Sequence, residues 1–174
     1  MQTKYDGIRM VIHKIGRTVR IFTEDEKRDR ARIFPEIVQE VRALPAQNTI
    51  LDTEFVWWRR GEPIAREDML AFVSGKEPIT GEEIHVNCHD CLWQGREPLD
   101  GLGYLDRLKH LREVLPKDFD SLKFAPYKLA STEEELKAAC AWAYRYPGSE
   151  GAMLKVADSP YSEERTDAWA KLKR

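Results

Sequence analysis

Lysine acts as a nucleophile only as the free amine, so a working lysine must sit where burial or neighbouring cations disfavour its ammonium form. The segment Lys4-Tyr5-Asp6-Gly7-Ile8-Arg9 offers one candidate, with an acid, a glycine and an arginine at fixed offsets behind the lysine. Further cations stand at the far end, in Trp169-Ala170-Lys171-Leu172-Lys173. Period-two alternation turns Lys171 and Lys173 to the same side of a strand, where paired ammonium groups can clamp a phosphate. Carboxylates lie in strand settings too: Glu54 within Leu51-Asp52-Thr53-Glu54-Phe55-Val56, and Glu150 heading Glu150-Gly151-Ala152-Met153-Leu154-Lys155. Such groups hold divalent cations, and near a lysine they favour its charged form. Taken singly, each of these residues reads as a solvated side chain, because Lys and Glu are rarely buried.

The elements that must bring them together follow from hydrophobic period. Ile8, Met10 and Ile12 alternate, Gly16 marks a turn, and Val19 and Ile21 resume in step, which predicts a β-hairpin. Phe34, Ile37, Val38, Val41 and Leu44 fall at helical spacing behind Pro35 and stop at Pro45. A strand over Thr49 to Trp58 follows, then a short helix over Asp68 to Val73 and a strand over Ile84 to Trp93. After a tight turn at Gly95, a longer helix carries Leu105, Leu108, Leu111 and Leu115. Thr132 with Glu135 forms a capping box for a helix to about Tyr144. Strands at Gly151 to Val156 and Trp169 to Leu172, joined by an irregular loop, complete an α+β domain of mostly antiparallel sheets flanked by helices.

Composition bounds the function. The chain has 174 residues, 42% of them hydrophobic, which suffices for one buried core; no repeat or flexible linker divides it, so 1–174 reads as a single domain. Its 28 Lys and Arg against 30 Asp and Glu leave a net charge of -2, so any grip on nucleic acid must be local. No apolar run approaches the ~20 residues that cross a bilayer, and no hydrophobic signal core opens the chain; a cytoplasmic protein without membrane contact is expected. Cys88-His89-Asp90-Cys91 beside His85 has the spacing of a zinc site. In a regular strand, residues three apart face opposite sides, so Cys88 and Cys91 are expected to diverge as buried, inert thiols. Arg28-Asp29-Arg30-Ala31-Arg32 reads as a solvated loop, and Trp57, Trp58, Trp93, Trp142 and Trp169 as packing aromatics.

Taken in order, the chemistry-bearing segments resemble those of the covalent nucleotidyltransferases, the superfamily of ATP-dependent DNA ligases, RNA ligases and mRNA capping enzymes. KYDGIR resembles the KxDGxR lysine motif and LDTEFV the glutamate strand that follows it. His89-Asp90 resembles the aromatic-Asp strand, EGAMLK the EGxxxK strand, and WAKLK the closing WxKxK motif. The resemblance runs from Lys4 to Lys173 and is nearest to the adenylation domain of the DNA ligases. It implies their nucleotidyltransferase fold, ATP-grasp-like, with an OB-type domain absent from this chain. It further implies that Lys4 attacks the α-phosphate of ATP, expels pyrophosphate and holds AMP through a phosphoramidate bond. Gln2, Asp6, Gly7, Arg9, Glu54, His89, Glu150, Lys155, Lys171 and Lys173 would contact the nucleotide. Glu54 and Glu150 would hold Mg²⁺, and Lys171 and Lys173 would assist catalysis. AMP would then pass to a DNA 5′-phosphate, with nicked duplex bound by the full-length enzyme as a monomer, cytoplasmic or nuclear. The rivals are a guanylyltransferase, an RNA ligase core, and a nucleotide-binding module inactive when excised.

Three positions depart from the family pattern. His89 stands where a base-stacking phenylalanine is usual. Gln2 replaces a glutamate that helps recognise adenine. Thr23-Glu24, followed by Asp25-Glu26-Lys27-Arg28, replaces a Ser-Arg pair.

Overall fold

A computed structural model describes residues 1–24, 28–75 and 83–173. Most of the acidic run behind Thr23-Glu24, at 25–27, lies outside the described residues. In chain order the elements are β1 (Gln2–Tyr5), β2 (Ile8–Ile15), β3 (Thr18–Thr23), α1 (Pro35–Ala43), β4 (Asn48–Arg59), β5 (Glu62–Pro63) and α2 (Arg66–Val73). They continue with β6 (Glu83–Gln94), β7 (Glu97–Pro98), α3 (Tyr104–Val114), β8 (Leu122–Phe124), α4 (Glu133–Arg145), β9 (Ser149–Lys155) and β10 (Trp169–Lys173). The α+β class with mainly antiparallel pairing is as expected. No helix among the described residues is long and apolar enough to cross a membrane.

The strands form two sheets. A three-stranded sheet runs β1-β9-β10, and a larger one has the order β3-β2-β4-β6-β7, with β5 on β4 and β8 on β6. Alternation gives each sheet one apolar and one polar face. In the small sheet Ala152, Leu154 and Leu172 pack with Met1 against Leu136, Ala139 and Ala143 of α4. In the large sheet Met10, Ile12, Leu51, Phe55 and Trp57 enter the main core with Val41 of α1 and Leu111 of α3. The capping box predicted at Thr132 and Glu135 opens α4 with both of its hydrogen bonds formed. Two pairings had no apolar alternation to announce them. The chain start forms β1, antiparallel to β9, and the three residues of β8 lie parallel to β6.

Two sequence expectations are corrected. Opposite β4, β6 carries register shifts that skip His89 and Leu92, so Cys88 faces Thr53 and Cys91 faces Leu51. One extra residue restores the same side to positions three apart, and both thiols enter the core at 0% exposure. Burial pushes the Cys91 thiol up to about 11, and raises that of Cys88 too. The second correction concerns Arg28 to Arg32. Asp29 Oδ1 accepts from the backbone N–H groups of Ile21 and Ala31, and Arg30 is buried, so the middle of this stretch is docked, while Arg28, Asp29 and Arg32 stay exposed as expected.

Two buried cations hold the frame. Lys14 Nζ donates to the Leu44 and Arg42 carbonyls at 2.6 and 3.2 Å, satisfying the end of α1. Arg107 of α3 grips Asp90 of β6 through a two-pronged pair at 2.8 and 3.0 Å, both side chains fully buried. Its Nη1 also donates to the Leu102 and Ser159 carbonyls. Removing one member of such a pair strands the other charge, at about 3–5 kcal/mol. Arg107→Met is therefore expected to lower unfolding stability by that order, read as a shift in urea midpoint, whereas a midpoint within about 0.5 kcal/mol of the parent would refute the frame role.

Candidate active site

Lys4 lies on β1 directly opposite Gly151 of β9, and Gly151 lies opposite Lys173 of β10. Partners in one antiparallel row project to one face, so the two lysines share that face with no side chain between them. A Cβ at Gly151 would stand 2.2 Å from the Leu172 carbonyl oxygen, which excludes any larger residue without backbone movement. The next row on this face is Gln2, Met153 and Lys171, followed by Lys155 opposite Trp169. The EGxxxK and WxKxK patterns thus serve one purpose: period two stacks their cations on the polar face of a small sheet.

The large sheet supplies the other wall. Arg9 of β2 sits opposite Glu54 of β4, and Asp52 lies two residues back on the same face. The bulge in β6 frees His89 to turn toward Asp52, with Nε2 at 3.5 Å from Oδ1. A cavity of about 690 Å³ is bounded by both sheets. Gln2, Lys4, Lys155 and Lys171 line it from the small sheet, and Arg9, Glu54 and His89 from the large one.

The remaining candidates stand outside the lining. Asp6 and Lys173 are exposed, Lys173 on the same face as Lys4. Glu150 contacts the Lys4 ammonium as an ion pair. Gly7 acts through its missing side chain, since a Cβ there would lie 2.4 Å from the Phe55 carbonyl oxygen. Gln2 is buried, with its amide donating to the Ala125 carbonyl and accepting from the Tyr104 hydroxyl, so it meets the cavity as a fixed wall.

The electrostatics centre on Lys4, whose side chain is 19% exposed. Its pKa is lowered, first by burial, with Lys171 and Lys173 adding to the effect and Glu54 and Asp6 opposing it. Desolvation, more than the neighbouring cations, is what favours the free amine here. Glu54 is pushed up to about 7 by burial, against the pull of His89 and Lys4. Asp52 behaves oppositely: burial would raise it, yet His89 and Arg9 hold it well below the usual carboxylate range. Lys155 stands over the rings of Tyr104 and Trp169 at 4.3 and 4.5 Å, and burial lowers its pKa.

Several site residues were not singled out from sequence. Asp52 is bound by Arg9 Nε and Nη2 at 2.9 and 2.8 Å, and its position two before Glu54 was a usable signal for a shared face. Tyr161, hydrogen-bonded to Arg9 and Asp52, comes from an aperiodic loop with no such signal. Trp169, assigned to packing, also lines the cavity. Glu24, one of the departures, lines it too and accepts from Arg9 Nη1 at 3.0 Å.

Comparison with known proteins identifies the family and supports the fold. A family profile described as an ATP-dependent DNA ligase domain matches residues 1–173. A protein named "Probable DNA ligase" from Kineococcus radiotolerans is 32% identical over 175 residues, covering 99% of this chain and 33% of that protein. A "DNA ligase" from Methanococcus aeolicus is 28% identical, covering 92% of this chain and 29% of its own length. The chain therefore spans about a third of these relatives. Among solved structures, the ligase domain of M. tuberculosis LigD superposes with a TM-score of 0.75 at 21% identity, over 98% of this chain and 53% of that one. A mycobacterial DNA ligase D complexed with ATP and MES gives 0.71 at 21% identity, over 98% and 52%.

Glu54 gives a test of this site's electrostatics. Its folded pKa of about 7 exceeds the ordinary 4.5, so between those values the folded state holds more protons than the unfolded one. Its burial costs nothing below pH 4.5 and a growing amount up to about pH 7. Glu54→Gln is expected to raise the melting temperature relative to parent at pH 8 and leave it level near pH 4.5; a difference constant across that range would refute the assignment.

Proposed function

Because this chain belongs to the family of ATP-dependent DNA ligase domains, we propose that its cavity binds ATP and that Lys4 is the nucleophile that becomes charged with AMP. The observation that carries this is the placement of one half-buried amine, lowered in pKa, on a face shared with Lys171 and Lys173. In the resting state Glu150 contacts the ammonium. Once its proton is lost, the Lys4 nitrogen attacks the α-phosphorus. The N–P bond forms as the bond from that phosphorus to the bridging oxygen breaks, pyrophosphate leaves with the electron pair, and the nitrogen releases its second proton to solvent to become the phosphoramidate. Lys155, Lys171 and Lys173 offset charge on the reacting phosphates, placed beforehand by strand register and so needing little rearrangement. Arg9 and Glu54 face the ribose. His89 and Met153, which line the cavity from different sheets, are suited to flank the base.

Mg²⁺ keeps several waters and needs one or two carboxylates besides substrate phosphates. Glu54, ionised above about pH 7, and Glu150, beside Lys4, provide that number. Among the described residues no group of three or more His, Cys, Asp or Glu forms a separate cage. Bound there, Mg²⁺ would screen phosphate charge and polarise the α-phosphoryl group. Passage of AMP to a DNA 5′-phosphate and nick sealing form the proposed second half of the reaction. The working form is proposed as a cytoplasmic monomer acting on nicked duplex.

Incubation with α-³²P-ATP and Mg²⁺ is expected to leave a denaturation-resistant labelled band that Lys4→Ala abolishes. Labelling with GTP alone would replace this reading by guanylyl transfer, and tight ATP binding with no label would make the chain a passive nucleotide module.

A further inference from the structure

The loop 156–168 between β9 and β10 carries Ser162, Glu164 and Thr166 onto the cavity. Tyr161 sits where that loop first meets the large sheet. Its backbone N–H donates to the Asp100 carbonyl at 2.8 Å, and its ring meets Trp169 of β10 edge-on, centroids 5.6 Å apart at 72°. Its hydroxyl reaches the opposite wall. Arg9 Nη2 donates to it at 2.5 Å, and it donates in turn to Asp52 Oδ2 at 3.0 Å.

A guanidinium has five N–H donors in a rigid fork. Arg9 Nε donates to Asp52 Oδ1, and Nη2 to Asp52 Oδ2 and to Tyr161. Those three N–H groups are satisfied inside the protein. Nη1 donates one N–H to the exposed Glu24 carboxylate at 3.0 Å, and its second N–H is the one donor left for a ligand to approach. Asp52 alone holds the fork along one side. The phenol closes a triangle of hydrogen bonds with Arg9 and Asp52 and so restrains rotation about the Nε–Cζ bond.

We propose that Tyr161 is a positioning residue for nucleotide binding: its hydroxyl, set between Arg9 and Asp52, keeps the Nη1 edge of Arg9 turned into the cavity. The proposal rests on the ATP reading above. It adds that the β9–β10 loop, through this one phenol, controls the orientation of a cation on the facing sheet. Tyr161→Phe keeps the ring and its contact with Trp169 but removes the oxygen, leaving one Nη2 proton unpaired. A hydrogen bond involving a charged group has a net worth that corresponds to about a tenfold change in affinity or more.

The test has two arms. In protein labelled with ¹⁵N at arginine, the Arg9 Nη signals of the parent are expected to be resolved, as for a guanidinium in slow rotation, and to merge in Tyr161→Phe. Averaged signals in the parent, or signals equally resolved in the variant, would overturn the proposal. In the second arm, ATP affinity is expected to fall about tenfold in Tyr161→Phe and to change little when the same substitution is made in an Arg9→Lys background, where the fork is already lost. An equal loss in both backgrounds would show general loosening of the loop and overturn the proposal. If the parent neither binds ATP nor takes label, the proposed function fails, and the arginine signals still decide separately whether Tyr161 orients Arg9.

Discussion

The structure is organised around a lysine amine held away from water without being fully neutralised. An ammonium group loses hydration on burial, and the loss must be offset by a partner or by shedding the proton. Around Lys4 both routes are open. Glu150 contacts it as an ion-pair partner, while burial, Lys171 and Lys173 favour the free amine. A cation that engages Glu150 would tip Lys4 toward the free amine, whereas drawing Lys171 and Lys173 away would tip it toward the ammonium form. A fully solvated Lys4 would stay an ammonium, and a fully paired one would have no reason to release its partner.

Maintaining that balance requires walls that do not collapse, and the buried ion pairs supply them. Arg107 with Asp90 fixes α3 against β6, next to the bulge that turns His89. Arg9 with Asp52 fixes β2 to β4 on the cavity face. Paired forks of this kind cost desolvation energy that an apolar pair would avoid, but they hold their geometry to within a hydrogen bond. The two glycines act by absence: Gly7 lets β2 begin hard against β4, and Gly151 keeps the space between Lys4 and Lys173 open.

Much of this was legible in one dimension. Alternation located the hairpin, β4 and β6, helical spacing located α1 and α3, and the capping box at Thr132 was read correctly to the residue. Lys171 and Lys173 could be placed on one face because strand period is a local property. The bulge at His89 could not be read, since a register shift is a property of two strands and one sequence segment does not carry it. That single shift reversed the expected divergence of Cys88 and Cys91. Arg30 looked like a solvated charge because its burial depends on what docks over it.

By itself the sequence determined which residues can do chemistry, their order, and which of them share a strand face, because side-chain period is set by backbone geometry within a few residues. Tertiary structure alone decided that β1 pairs with β9 and so brings Lys4 level with Lys173, and that Tyr161 closes on Arg9 from a loop without periodicity. It also decided the protonation preferences, because desolvation depends on every atom packed around a group, and those atoms come from segments that meet only when the chain has folded.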